Sequence, residues 1–385
     1  MMEQISYYIF LITGILLVGF LGEALSKKIR VPYYLWLLIL GIIIGEINIL
    51  PRSQYQNYNL FIVEIVATLV FYNAGLKINI KKDFKDGKAI LISILEYAIT
   101  SFLLFSIFYL VRLGIYNSLA LSLVLSSGGI NGAELLYNEL INNKSKIKNS
   151  LMTKEIIAES ISIILVIGIL EAKVQNFNSI YLATETTISA FSIAILISLI
   201  AGILWIKLNS LLRKKGLRFT YALSLAVVFL IYEFTDYIGG AGPIAVFSFG
   251  IVESNAEEIY EAIGLRSQNP ELGKMYKEIN DLLTFFAVSF FFVYAGSIFI
   301  FNIEELLIAL IASIEIIILS LIVGNLYKGR DVGYYSARGL VPAILSAILS
   351  IYFSTSIFIF ITFITIIITN ISTSLLSGKL DKLTR

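Results

Sequence analysis

The sequence predicts an all-α polytopic membrane protein of about thirteen transmembrane helices, arranged as inverted repeats with two interrupted helices crossing near the midplane. Three observations predict it. Of 385 residues, 58% are hydrophobic and only 15% charged, whereas ordinary soluble domains carry about 25% charged residues. Lys and Arg gather on alternate connections between apolar runs. Three segments recur in the same order in the second half of the chain, shifted by an odd number of spans.

Apolar runs of at least about 17 residues are read as spans. The start, MMEQISYYIF, has no basic leader, and the run 5–25 is too long for a signal-peptide core, so it is taken as the first span. Spans 31–50, 60–77, 88–113, 117–141, 153–172 and 186–212 follow, then 219–237, 239–255, 279–301, 304–327, 333–351 and 354–377. Mean hydropathy is +0.86. The connections left between spans are short, and no soluble domain fits among them.

Loop charge orients these spans, because Lys and Arg near span ends concentrate on the cytoplasmic side. One alternating set holds Lys27, Lys28 and Arg30, then cations within 77–88, 144–154, 207–218, 266–277, 328–330 and the tail, 25 in all. The opposite set holds only Arg52, Arg112 and Lys173, and Arg338 lies inside a span. Thirteen spans with the N-terminus outside and the C-terminus inside account for the asymmetry.

Cysteine and histidine are both absent. That excludes disulfides, thiolate and imidazole metal sites, His- or Cys-ligated haem, catalytic thiols and histidine pH sensing. No G-x-x-x-x-G-K-[ST] loop is present to cradle a nucleotide phosphate. An ion gradient is therefore the expected energy source, with no cofactor, and nothing suggests a nucleic-acid partner.

The recurring segments are FYNAGLKINI (71–80) with FVYAGSIFIF (292–301), SSGGINGAELL (126–136) with SARGLVPAILS (336–346), and LGII (40–43) with FGIV (249–252). The shift is seven spans, so the two halves face opposite ways. Inverted repeats with interrupted helices meeting at the midplane are the mark of secondary transporters. The chain is accordingly read as one membrane transporter domain over 1–385, with a first repeat at 31–172, a linker helix at 186–212 and a second repeat at 239–377. Gly128, Gly129 and Gly132 around Asn131 interrupt span 5, and Gly339 and Pro342 beside Arg338 interrupt span 12.

An ionisable side chain at the bilayer centre costs at least about 2.5–3.5 kcal/mol, so it faces a partner or a water-filled cavity. In TKEIIAESIS, Glu155 and Glu159 lie one turn apart on one face of span 6. Two carboxylates on one stripe are tolerable if one meets a cation and the other shares its place with a proton or metal ion. Arg338, the one cation deep in a span, is the expected bidentate partner of Glu155. Glu159 is left to exchange. The Ser160 hydroxyl, the Asn131 amide and carbonyls of the interrupted span add oxygens suited to Na⁺. The alternative is that Glu155, Glu159 and Arg338 form an ion network serving assembly alone. Glu96 has no assigned partner, Glu64 is either a solvated cap or functional, and Glu134 lies one turn past the break. Glu315 is either a second proton carrier or the partner of an unidentified lysine. The 48 Tyr and Phe residues are read as lipid-facing and interfacial belts rather than a ligand cage.

These segments resemble the monovalent cation:proton antiporter superfamily, which includes the NhaP, NapA and Kef-type proteins. The resemblance runs over nearly the whole chain, through IRVPYYLWLLILGIIIG (29–45), LVFYNAGLKINIKKDFKDGKAI (69–90), FSFGIVES (247–254), FFFVYAGSIFI (290–300) and ARGLVPAILSAIL (337–349). It implies an NhaA-like antiporter fold, a homodimer, and a bundle of spans 4–6 and 11–13 moving against spans 1–3 and 8–10. The family's ion-binding helix usually reads Gly-Glu-Ser, two apolar residues, then Asn-Asp, where this chain has Lys154 to Ser160. The resemblance thus implies a structural glutamate at Glu155, its arginine at Arg338, and the ion-binding pair at Glu159 and Ser160. Ser160 stands where the family has Asp, Gly129 where many members carry another acid, and Glu315 on a helix where electrogenic members often carry Lys.

The expected function is secondary active monovalent cation:proton antiport, Na⁺/H⁺ exchange by alternating access with one carboxylate shared by cation and proton. K⁺ efflux or an altered-substrate, organic-ion carrier on the same fold is the alternative; a non-transporting scaffold or sensor and a membrane enzyme rank below both. The expected location is the plasma membrane of a prokaryote.

Overall fold

The structure, a computed structural model, describes residues 2–29, 31–47, 59–130, 133, 145–172, 180–214, 220–262, 270–324, 326 and 333–383. They are predominantly helical. In chain order the helices are α1 (Met2–Ile29), α2 (Tyr33–Glu46), α3 (Asn59–Leu76), α4 (Ile80–Asp83), α5 (Gly87–Leu110), α6 (Ile115–Leu125), α7 (Ser145–Ala172) and α8 (Ile180–Lys214). There follow α9 (Thr220–Tyr237), α10 (Gly242–Ser254), α11 (Ala256–Ala262), α12 (Pro270–Ser297), α13 (Ile303–Gly324), α14 (Leu340–Tyr352) and α15 (Ile357–Leu383). Among the described residues, Gly87–Leu110, Thr184–Asn209, Asn280–Ser297, Ile303–Gly324 and Ile357–Leu376 are long and apolar enough to cross a bilayer.

Spans 5 and 12 are not continuous helices. α6 stops at Leu125, after only 11 residues, and α14 starts at Leu340 and runs for 13, both too short to span alone. With no water in a bilayer core, every backbone and hydroxyl group must find a protein partner. Several helix hydroxyls do so locally: Ser93, Thr100, Ser313 and Thr369 each donate to the carbonyl four residues earlier.

The chain folds into two compact units, one of Met1–Val63, Asp86–Ser162 and Phe286–Arg385, the other of Glu64–Lys85 and Ile163–Phe285. The first has an aromatic core. Tyr34 stacks on Phe292 with centroids 5.0 Å apart, and Phe292 stacks on Phe363 at 5.6 Å. All three are essentially unexposed. These rings fill the core, whereas Phe20, Phe102, Phe234 and Tyr237 among others are exposed, so the aromatic residues divide between core and outer surface. In this unit α2 and α12 cross so closely that a Cβ on Gly296 would lie 2.9 Å from Gly41 Cα.

In the second unit, α10 packs on α8 and α9, and the Asp236 carboxylate caps its first amide, accepting from Gly242 N at 2.7 Å. Here α3 and α10 cross, and a Cβ on Gly75 would lie 3.1 Å from Gly250 Cα. The turn after α3 is held by Asn255, which donates to Ile78 O and accepts from Ile80 N, each at 2.9 Å. The glycines of these crossings are the ones the repeat pairs. Gly41 corresponds to Gly250 and Gly75 to Gly296, so α2 on α12 and α10 on α3 are the same pairing with the halves exchanged.

Candidate functional site at two interrupted helices

The third close crossing lies in the first unit. Helix α6 ends at Leu125, residues 127–129 leave the helix, and Ile130 is helical again. Residues 335–339 are likewise non-helical before α14. The segments touch through glycine: Gly339 N donates to Gly128 O at 3.3 Å, and a Cβ on Gly339 would sit 2.7 Å from Gly129 Cα. A Cβ on Gly128 would run into the Glu155 carboxylate.

Breaking a helix inside a membrane exposes carbonyls at one new end and amides at the other, with the partial charges of a helix dipole. Charged side chains answer both. At the carbonyl end, Arg338 Nε donates to Leu125 O at 2.6 Å and its Nη1 to Ser336 O at 3.3 Å. At the amide end, Glu155 Oε2 accepts from Gly129 N at 2.6 Å and Glu159 Oε1 from Ile130 N at 2.9 Å. The one-turn spacing of the two glutamates on α7 matches the adjacency of the two amides. All three side chains are buried, Glu155 being 1% exposed and Glu159 5%. Anion binding at a helix amide end is the general solution used here.

The segment carrying Arg338 is clamped by α2 and α15. Its carbonyl accepts from Asn370 Nδ2 at 2.8 Å and from the Tyr34 hydroxyl at 3.4 Å, and its amide donates to Thr369 Oγ1 at 3.3 Å. Ser336 N donates to Thr373 Oγ1 at 3.1 Å.

The structure therefore brings Glu155, Glu159 and Arg338 to one place, but not as expected. No salt bridge joins Arg338 to Glu155; the guanidinium turns to the carbonyls that the break leaves unbonded, and the positive charges that act on Glu155 are those of Lys154 first and Arg338 second. Glu155 Oε1 is buried without a hydrogen-bond partner. It faces a cavity of about 10 Å³ lined by Ser93, Glu96, Thr100, Ser126 and Arg338 among others, room for about one water-sized species. Ser160 donates to Ile156 O at 2.7 Å, which leaves its lone pairs available to accept or coordinate. Asn131 and Glu134 lie outside the described residues.

Sequence reasoning places Lys154 among the loop cations, and the structure corrects this. Lys154 lies within α7, 5% exposed, and its Nζ pairs with Glu96 Oε1 at 2.8 Å. It is the partner that the sequence does not assign to Glu96. The signal is present in the letters: a deep acid on span 4 and a lysine one position before Glu155. Sequence reasoning also misses Tyr335, whose hydroxyl donates to Gly129 O. Glu315, on α13, has both carboxyl oxygens buried without a hydrogen-bond partner, within electrostatic range of Arg338 and Glu96. Glu64 belongs to the second unit, in the field of Glu233 and Asp236.

The family described as "Sodium/hydrogen exchanger, transmembrane" matches residues 12–380. The chain belongs to the sodium/hydrogen exchanger family. Among solved structures, this exchanger is similar to the sodium proton antiporter MjNhaP1 from Methanocaldococcus jannaschii at pH 8, with a TM-score of 0.74, 18% identity, and coverage of 98% of this chain and 100% of that one. An electron-microscopy structure of MjNhaP1 gives a TM-score of 0.68, 19% identity, and coverage of 99% and 95%. At that identity the likeness concerns the fold: the exchanger has the all-α polytopic antiporter architecture. Sequence comparison with curated proteins gives no significant match.

Proposed function

We propose that this sodium/hydrogen exchanger family member is a secondary active monovalent cation:proton antiporter, with Na⁺ as the principal cation, working by alternating access. Glu159 holds the cation or the proton, one at a time. The observation that carries this reading is the meeting of Glu159 with the amide end of the interrupted helix, one turn from Glu155. The amides and Arg338 compensate part of the carboxylates' charge, and one monovalent cation or one proton compensates the remainder. Either occupant leaves the same net charge, so a single exchanging carboxylate makes transport close to electroneutral. Ser160 supplies a neutral oxygen on the residue next to Glu159, and no cofactor is needed. Two copies associate as a homodimer in a prokaryotic plasma membrane, with the N-terminus outside and the C-terminus in the cytoplasm; the loop-charge asymmetry supports that orientation.

A second reading, K⁺ efflux or organic-ion transport on the same fold, draws on Ser160 standing where the family usually has Asp. One experiment separates them. Proteoliposomes with an imposed pH gradient receive Na⁺, Li⁺ or K⁺ in turn. Collapse of the gradient by Na⁺ or Li⁺ is the expected result. Response to K⁺ alone selects the second reading, and no response to any of the three sinks monovalent cation antiport.

A further inference from the structure

We infer that Lys154 and Glu96 are positioning residues for the exchange site, acting on Glu155 and Glu159 through Tyr335. The inference rests on the antiport reading for its kinetic consequence but not for its structural one. An ammonium has three donors, and Lys154 Nζ has three acceptors: Glu96 Oε1 at 2.8 Å, Ser320 Oγ at 2.9 Å and Tyr335 O at 3.3 Å. They belong to α5, α13 and the non-helical segment before α14, so one side chain of α7 ties four parts of the first unit together. Ser320 reinforces the knot, its single hydroxyl proton within reach of Tyr335 O at 2.9 Å and of Glu96 Oε1 at 3.3 Å.

Tyr335 passes the constraint on. Its carbonyl is held by Lys154, and its hydroxyl donates to Gly129 O. The same residue, Gly129, offers its amide to Glu155, and the next offers its amide to Glu159. A closed circuit thus runs from Lys154 through Tyr335 and Gly129 to Glu155, the covalent neighbour of Lys154. Moving Lys154 moves the amides that seat both carboxylates.

The pair is an expensive way to hold a fold together. Its side chains are 7% and 11% exposed, and a buried ion pair is often no more stable than the apolar residues that would replace it, while its directed bonds specify one geometry. Every donor of Lys154 is committed to the wall of the site. The gap between the pair and the exchange site is the cavity of about 10 Å³ onto which Glu96, Lys154, Glu155 and Arg338 all open.

Two readouts test this. The first is the Na⁺ dependence of proton flux in proteoliposomes for Tyr335→Phe, for the paired removal Lys154→Met with Glu96→Gln, and for the two combined. Lys154→Met is not made alone, because it would take the cation away from a buried carboxylate, Glu96. Each change is expected to raise the apparent KM for Na⁺ at least about fivefold, with a smaller effect on maximal rate. The combination is expected to be no worse than the worse of its components, since residues in one network are not additive. The second readout is hydrogen exchange of the amides of Gly129 and Ile130, expected to quicken at least about tenfold in Tyr335→Phe and in the paired variant. Independent, multiplying effects on KM, or unchanged exchange of those two amides in folded variants, would overturn the inference. A wild type without cation-driven flux would sink the antiport reading instead, and hydrogen exchange would still decide this one.

Discussion

Glu159→Gln is expected to lower cation-driven proton flux by at least about 10²-fold, the usual scale for removing a group that must itself carry a proton. The substitution is nearly isosteric, and a glutamine carbonyl accepts from Ile130 N as the carboxylate does. The seat at the amide end of the interrupted helix therefore survives. What is lost is the charge that a cation neutralises and the oxygen that a proton occupies, so neither substrate can displace the other. Folding, followed by detergent-solubilised yield and the fluorescence of Trp36 and Trp205, should be close to wild type. Flux within a few-fold of wild type would move the exchange to another carboxylate, Glu155 or Glu315 first.

Arg338→Met is expected to act on the fold more than on the exchange step. Arg338 reaches both Leu125 O and Ser336 O, carbonyls that have no water to turn to inside a bilayer. Methionine fills much of the volume and satisfies neither. Glu155, already carrying one oxygen without a hydrogen-bond partner, loses the positive charge of Arg338 as well. Removing one member of a buried charged set costs about 3–5 kcal/mol, a large fraction of the stability of most folds. Thermal unfolding in detergent should show a marked fall in the unfolding temperature. Arg338→Lys should recover only part of it, because an ammonium is a point charge and lacks the rigid fork that serves two carbonyls. An Arg338→Met protein as stable as wild type would mean that the interrupted segments hold each other without the guanidinium.

The interruptions themselves are legible in the sequence. Gly128 and Gly129 in one apolar run, and Gly339 beside Arg338 in another, lie at matching repeat positions, and both helices do break there. Glu155 and Glu159 are legible for a related reason: carboxylates spaced one turn apart in an apolar helix need compensation from elsewhere. What compensates them is less legible. Side-chain chemistry names arginine as the natural partner of a carboxylate, but a broken helix creates backbone donors and acceptors that the residue letters do not display. The amides of Gly129 and Ile130 take the carboxylates, and the carbonyl of Leu125 takes the arginine. Lys154 is hidden differently. A lysine at the edge of an apolar run reads as a loop cation, and only the approach of α5 and α13 turns it inward to Glu96 and Ser320. The aromatic layer of Tyr34, Phe292 and Phe363 is hidden likewise, because rings in apolar helices carry no sign of which way they face.

One carboxylate serving cation and proton in competition is the central claim. Initial proton-flux rates in wild-type proteoliposomes, measured across Na⁺ concentrations at a series of pH values with no membrane potential, test it most directly. Competition predicts that the apparent KM for Na⁺ rises as pH falls, approaching tenfold per unit where the site is mostly protonated, while the maximal rate at saturating Na⁺ stays nearly constant. An apparent KM independent of pH, with the maximal rate alone changing, would contradict it and place cation and proton on separate groups.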